Sequence, residues 1–333
     1  MTENILSDYR MLKELTQKFG PSGNEKEVSD YIAAQIHPLV DKVESDPLGN
    51  LVAHRKGSGL RVMIACHMDE VGVMITHIDE RGYLYFSPVG GLISSELVNK
   101  RVIFQNKRIG IVCKDKEKSG ERTTEKIYID IGASRESEAR KVVKEGDMAV
   151  LVGDYVETDN CIISKALDNR LACFLVIEFL KHIQSKHELY IVFTCQEEVG
   201  ARGAKTAAYS IRPDLALVID ATRSYDRPQE SNQTCLDRGV AIKAMDKSII
   251  VSPQIKNWMA EMARKKKIEH QWEVISTGST DSGPVHLTAG GIPTGGLALP
   301  VRYLHTGNEV ASKKDLNSAL KLLAELVLNP FTR

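Results

Sequence analysis

No stretch of this sequence approaches the ~18 apolar residues that a membrane-spanning helix needs, so no helical span is expected. Charge of one sign is not in excess either: Lys and Arg total 44, and Asp and Glu total 44. That balance removes the electrostatic reason to expect nucleic acid or a membrane surface as partner. The local run Arg264-Lys265-Lys266-Lys267 reads as the solvated end of a helix, where cations meet the negative pole of the helix dipole. The cysteines (Cys66, Cys113, Cys161, Cys173, Cys195, Cys235) include no C-x-x-C pair and mostly sit inside apolar runs. They read as reduced, buried, small hydrophobes, which points to the cytosol. The segment MTENILSDYRMLKEL is charged and helical in period, without the apolar core and cleavage site of a secretory leader. Internal repeats and low-complexity segments are absent as well.

What is present is the composition of an ordinary globular protein, 42% hydrophobic and 26% charged. A length of 333 residues gives room for one large α/β domain, or a main domain with a smaller one. Two helices open the chain, over about 4–19 and 23–38, separated by Gly20-Pro21-Ser22-Gly23. Ser22 with Glu25 has the spacing of a capping box for the second. Asp46-Pro47-Leu48-Gly49-Asn50 reads as a tight turn between short strands, and Arg61–Cys66 as a buried parallel strand. Over 71–156 the pattern changes to short β-like runs and Gly-rich or charged turns, with a helix only around 134–144. Within it, the charged segment Asp115–Lys126 reads as a mobile hairpin or loop.

After 157 strands and helices alternate: helices over about 168–184, 200–209, 253–266, 281–289 and 312–328, and strands near 188–194, 215–219, 240–244, 271–275 and 294–300. The expected fold is therefore α/β, a mostly parallel sheet with helices on both faces, interrupted by a small β-rich insertion. Residues 1–70 and 157–333 would form the α/β domain, and 71–156 the inserted one.

Ligands bind beyond the carboxyl ends of strands in such sheets. His67 sits where one strand leaves the sheet, with Asp69 two residues on to orient its imidazole. Adjacent Glu197 and Glu198 follow another strand, pointing in different directions, so one can bind metal while the other handles a proton. Asp220 ends a third apolar strand, and His305 lies in the loop after a late one. Asp168, before a long apolar helix, is either its N-cap or a bridge between metals. Each has an ordinary reading alone: a structural His–Asp pair, acids at a helix start, a turn cap, a loop histidine. Together they match an O/N ligand set for paired zinc, cobalt or manganese ions. A two-ion site needs about two unshared ligands per ion, a bridging carboxylate and a free base, and His67, Asp220, Glu198, His305, Asp168 and Glu197 fill those places with none left over.

The sequence resembles the M42 family of metallo-aminopeptidases, the glutamyl- and deblocking-aminopeptidase group, over nearly its whole length. The resemblance rests on Gly20-Pro21-Ser22-Gly23, Asp46–Asn50, Cys66-His67-Met68-Asp69-Glu70, Ala166–Arg170, Gln196–Gly200, Ile219-Asp220, Ser279–Ser282 and Tyr303-Leu304-His305, in that order. It implies that His67 and Asp220 hold one ion, that Glu198 and His305 hold the other, that Asp168 bridges them and that Glu197 is the general base. It also implies short peptides with free N-termini as substrates, and dimers built through the insertion that assemble into a tetrahedral dodecamer. Thr306-Gly307 and Thr222–Asp226 depart from the family's pattern, near the expected substrate pocket. Rival readings are another metal-dependent amide hydrolase such as a deacylase, a glycosidase, or a metal-free assembly protein on the same scaffold.

Overall fold

The computed structural model describes residues 6–119, 122–230 and 233–332. Three parallel neighbours, Glu188–Thr194, Arg61–His67 and Leu215–Arg223, form the middle of the main sheet, and Thr294–Arg302 extends it in parallel. Their side chains alternate as strand geometry requires. Val62, Ile64 and Cys66 face one core with Leu217, Ile219, Ile191 and Phe193, whereas Met63 and Ala65 face a second with Val192, Ala216 and Val218. The first core is closed by the helices Arg10–Gln17, Lys26–Ile36, Leu167–His182, Pro253–Lys265 and Lys313–Leu328; the second by Arg202–Ile211 and Ser282–His286. Leu167–His182 is apolar nearly all round and buried along most of its length, as a helix must be when sheet and helices enclose it.

The sheet is mixed rather than mostly parallel. Lys42–Ser45 and Leu51–Arg55 pair antiparallel across the turn at Asp46–Asn50, and Leu51–Arg55 lies antiparallel to Glu188–Thr194. On the other side Thr294–Arg302, Glu309–Ser312, Cys161–Ser164 and Val156–Glu157 pair antiparallel in succession. Connection length accounts for the three sequential pairs, Lys42–Ser45 with Leu51–Arg55, Val156–Glu157 with Cys161–Ser164, and Thr294–Arg302 with Glu309–Ser312. A short turn can return a strand only antiparallel, whereas parallel neighbours need a crossover of a dozen or more residues.

Between the strand ending at His67 and the one starting at Cys161, six strands from Gly72–Ile78 to Met148–Leu151 close into a barrel. Val73, Ile75, Leu84, Val102, Phe104, Val112, Ile129 and Ala149 fill it as a core of its own. Ile109–Ser119 and Arg122–Asp130 pair as a hairpin through the charged segment, whose tip at 120–121 lies outside the described residues.

Several elements differ from the sequence expectation. The first helix is Arg10–Gln17, starting where the Asp8 carboxylate accepts the Arg10 N–H, and residues 4–5 lie outside the described ones. The helix near 134–144 shrinks to Glu136–Ala139. The Ser22–Glu25 capping box does not form. Ser22 Oγ donates to Asp69 Oδ2 at 2.6 Å, and Glu25 Oε1 accepts the N–H groups of Gly23 and Gln196. Tertiary partners at the sheet edge outcompete the local cap. No helix among the described residues is long and apolar enough to cross a membrane.

One buried ion cluster ties the helical layer to the strand exits. Glu70 accepts from Lys165 Nζ at 2.8 and 2.6 Å and lies 3.3 Å from Arg170 Nη2. Arg170 also donates to the carbonyls of Met68 and Leu15, and it packs so closely on Gly20 that a Cβ there would lie 2.7 Å from Nη2. Glu70→Ala leaves two buried cations without their carboxylate and should cost about 3–5 kcal/mol. Guanidinium unfolding measures it; a loss below about 1 kcal/mol would show that the cluster is solvated rather than buried.

Candidate metal centre

The parallel registers bring the chemistry to one rim. Thr194 lies opposite His67, and Val218 opposite Ala65, so the chain after Thr194, the end of Arg61–His67 and Asp220 meet at the carboxyl edge. Leu215–Arg223 continues three residues past Asp220, so this carboxylate projects from within a strand rather than from its end. Asp168 makes no helix cap. It and Asn169 have non-helical dihedrals at the start of Leu167–His182, which turns the Asp168 side chain toward the rim.

The donors converge closely. His67 Nε2 lies 3.1 Å from Asp168 Oδ1 and 3.3 Å from Asp220 Oδ1. His305 Nε2 lies 3.3 Å from Asp168 Oδ2 and 3.3 Å from Glu198 Oε1. The two oxygens of Asp168 thus face different histidines. Two groups result, His67–Asp168–Asp220 and Asp168–Glu198–His305, each with donor atoms within 4.8 Å of one another.

Each histidine is oriented from behind. His67 Nδ1 lies 3.1 Å from the Asp69 carbonyl and 3.4 Å from its carboxylate, so main chain and side chain of Asp69 both support the ring. The Asp69 carboxylate also accepts the N–H groups of Glu197 and Glu198 at 3.0 and 3.1 Å. It therefore fixes both the imidazole and the acidic loop. His305 Nδ1 is 3.1 Å from the carbonyl of Gly91, in the loop after the barrel strand Leu84–Val89. A Cβ on Gly91 would come within 2.8 Å of that nitrogen, so only glycine lets the barrel approach. Fixing Nδ1 as donor leaves Nε2 free for a metal at both rings.

Glu309 was not singled out from the sequence, yet it belongs here. Its buried carboxylate accepts the Asp168 N–H at 3.1 Å and the His305 N–H at 2.7 Å. Its position four residues after His305 was the available signal, and that spacing does not reveal Asp168 as the second partner.

The residues fit divalent cations. Asp168, Asp220 and Glu197 are buried, and the Glu198 side chain is nearly so. Direct ion pairs to Asp168, Asp220 and Glu198 among the described residues come from the two histidines. Glu198 Oε1 is buried without a well-formed hydrogen bond, its contact to His305 being poorly aligned. Such an excess of buried negative charge calls for cations. Tetrahedral ligands at about 2.1 Å from an ion lie about 3.4 Å apart, close to the separations seen here.

The electrostatics are those of crowded acids. Burial, with the charges of Asp220, Asp281 and Glu198, holds the Glu197 carboxyl well above its usual range, although His67 opposes the rise. Burial also raises Glu198 and Asp220 and pushes Asp281 up to about 7 and Glu309 up to about 8. Burial alone would lower His305, but Glu198 and Asp168 push it up to about 12.

All six candidate residues line one cavity of about 350 Å³. Its far wall carries Arg223, Tyr225, Thr277–Thr280 and a buried Lys243 held between Asp246 and Glu273. A second cavity of about 1010 Å³ shares Gly91, Arg223, Leu304 and His305 with the first and runs along Thr306-Gly307. The two stretches that depart from the family's pattern thus bear on cavity walls, not on the ligand groups.

Residues 49–322 match the M42 glutamyl aminopeptidase family. The chain is 44% identical over 323 residues to a protein of Acetivibrio thermocellus assigned as an aminopeptidase, covering 96% of this chain and 98% of the other. An aminopeptidase structure from the archaeon Desulfurococcus kamchatkensis superposes with a TM-score of 0.90 at 36% identity, covering 96% and 94% of the two chains. The TET1 peptidase of Pyrococcus horikoshii, described as assembling into a tetrahedron or a large octahedral shell, matches at 0.86 and 30% identity over 97% and 99%.

Proposed function

The chain belongs to the M42 family of peptidases, and from that premise we propose that it is a two-ion aminopeptidase releasing N-terminal residues from short peptides. The observation that carries the reading is the pair of ligand groups sharing Asp168, with Glu197 in the same cavity but in neither group. His67 and Asp220 would hold one ion, Glu198 and His305 the other, with Asp168 between them. Bound Zn2+, Co2+ or Mn2+ would supply Lewis acidity to the scissile carbonyl and lower the pKa of water toward neutrality.

The remaining chemistry belongs to side chains. Glu197 accepts a proton from the attacking water and returns it to the departing amine nitrogen. Burial raises its pKa, which makes the carboxylate a stronger base toward the attacking water than one in free solution. One ion, or an acid beside it, would hold the free α-amino group, which a blocked N-terminus does not offer. The adjoining larger cavity gives the downstream peptide somewhere to lie.

Residues 1–70 and 157–333 form the catalytic part in this reading, and 71–156 the part through which copies associate. Exposed Ile109 and Ile111 on the barrel support an interface there. A tetrahedral dodecamer like that described for the TET1 peptidase would cage the site; a monomeric mass in light scattering would count against it. No disulfide forms among the described residues, which supports a cytoplasmic location.

The test is amino-acid release from short peptides, free and N-blocked, with Co2+ or Zn2+ and with chelator. Release from free N-termini only, lost with chelator, is the expected result. Silence on every peptide, with chelator-resistant hydrolysis of glycosides instead, would favour a glycosidase-type site, which needs two carboxylates and no metal. Release from blocked peptides alone would favour a deacylase.

A further inference from the structure

We propose that Glu309 is a positioning residue that sets the distance between Asp168 and His305, and with it the geometry of the second ligand group. This rests on the two-ion reading of the site. Asp168 and His305 come from segments far apart in the chain, and their side chains must meet at 3.3 Å for that group to exist. Glu309 Oε2 accepts from the Asp168 N–H and Oε1 from the His305 N–H, so one carboxylate joins both backbones. It is 2% exposed, so water does not compete for these bonds.

The fold fixes Glu309 itself. It opens the strand Glu309–Ser312 and pairs with Ser164, the last residue of Cys161–Ser164, four residues before Asp168. Both clamped segments carry backbone that side chains disfavour. His305 has φ 62°, and Ala166, two residues before Asp168, has φ 54°. Left-handed residues other than glycine persist only where their surroundings hold them. On the opposite side of the site Asp69 clamps the amides of Glu197 and Glu198 in the same manner. The two carboxylates are a matched pair of backbone clamps, and Glu309 is the one that spans ligand loops from two different elements.

The substitution Glu309→Gln keeps size but offers one acceptor and turns an NH2 group toward the other N–H, donor against donor. Glu309→Asp keeps charge and both acceptors but is one carbon shorter and cannot span both amides. The experiment titrates the metal-stripped full chain with Co2+ calorimetrically and follows the visible absorption of the bound ion. The wild-type chain should take two Co2+. In both variants the first should bind as in wild type, and the second about 10–100-fold more weakly with an altered spectrum.

Unchanged affinities and spectrum in Glu309→Gln overturn the proposal. Full recovery in Glu309→Asp overturns it too, because charge rather than reach would then matter. Loss of circular dichroism and of a cooperative melt in both variants assigns Glu309 to holding the fold and overturns the positioning role. A wild-type chain that takes one ion sinks the two-ion reading separately, and Glu309 then stands or falls on whether its variants weaken that ion. A wild-type chain that takes none overturns both.

Discussion

Glu197→Gln lowers turnover on a free-N-terminus peptide by about 10²–10⁴-fold while both ions stay bound. The substitution is nearly isosteric and removes the carboxylate's charge together with its capacity to take a proton. The Glu197 main chain is held independently of its side chain: its N–H donates to Asp69 Oδ1, and its carbonyl accepts from Gly200 and Ala201. Neither ligand group contains Glu197, so no coordinating oxygen is lost. KM should change little, because the proton transfer is a transition-state event and not a binding contact. Metal analysis beside steady-state kinetics reads both halves. Loss of an ion together with activity would mean that base and ligand have been exchanged between Glu197 and Glu198.

The neighbouring acid gives the contrast. Glu198 Oε1 faces His305 Nε2 and belongs to a ligand group, although one peptide bond separates it from Glu197. The sequence shows why both are acidic and placed after an apolar strand, but not which one faces which partner. That depends on Gln196, whose φ of 56° turns the chain sharply at the strand exit. Gln196 is held there by Glu25, the residue just before the second helix, 171 positions away.

The same distinction runs through the whole molecule. Compact apolar runs rich in β-branched residues made the central strands legible, since both faces of the sheet are covered. The candidate ligand residues stood out because ionisable side chains at strand exits contrast with such runs. What sequence could not show are contacts between distant segments. The Asp69 carboxylate reaches amides 128 positions on, and Glu309 reaches one 141 positions back. Gly91 lies in a loop of the insertion, and its carbonyl orients His305, 214 positions away. The capping box failed for the same reason: Ser22 and Glu25 have the right spacing, but Asp69 and Gln196 are better partners once the sheet edge forms. The antiparallel flank beyond Thr294–Arg302 was missed because the strands after His305 and before Lys165 are short and lack the apolar length of the central ones.

Asp168→Asn tests the bridge, and it should strip both ions rather than one. Asp168 Oδ1 faces His67 and Oδ2 faces His305, so the two groups depend on the two oxygens of a single side chain. The amide keeps one acceptor and turns a donor toward the other position, and it brings no negative charge to either. Residues that merely support a ligand from behind change metal affinity by about 10–100-fold, so removing a shared ligand should cost at least about 100-fold at each group. His67→Ala and His305→Ala provide the comparison, because each removes a donor from only one group. Metal analysis after equilibration at limiting Zn2+ should give near zero ions for Asp168→Asn and about one for each histidine variant. Folding should survive in all three, since Asp168 provides no helix cap and the helix it precedes is held by apolar burial from Leu171 onward. If Asp168→Asn instead keeps one ion as firmly as wild type, the carboxylate serves a single group and the two ions are not bridged by it.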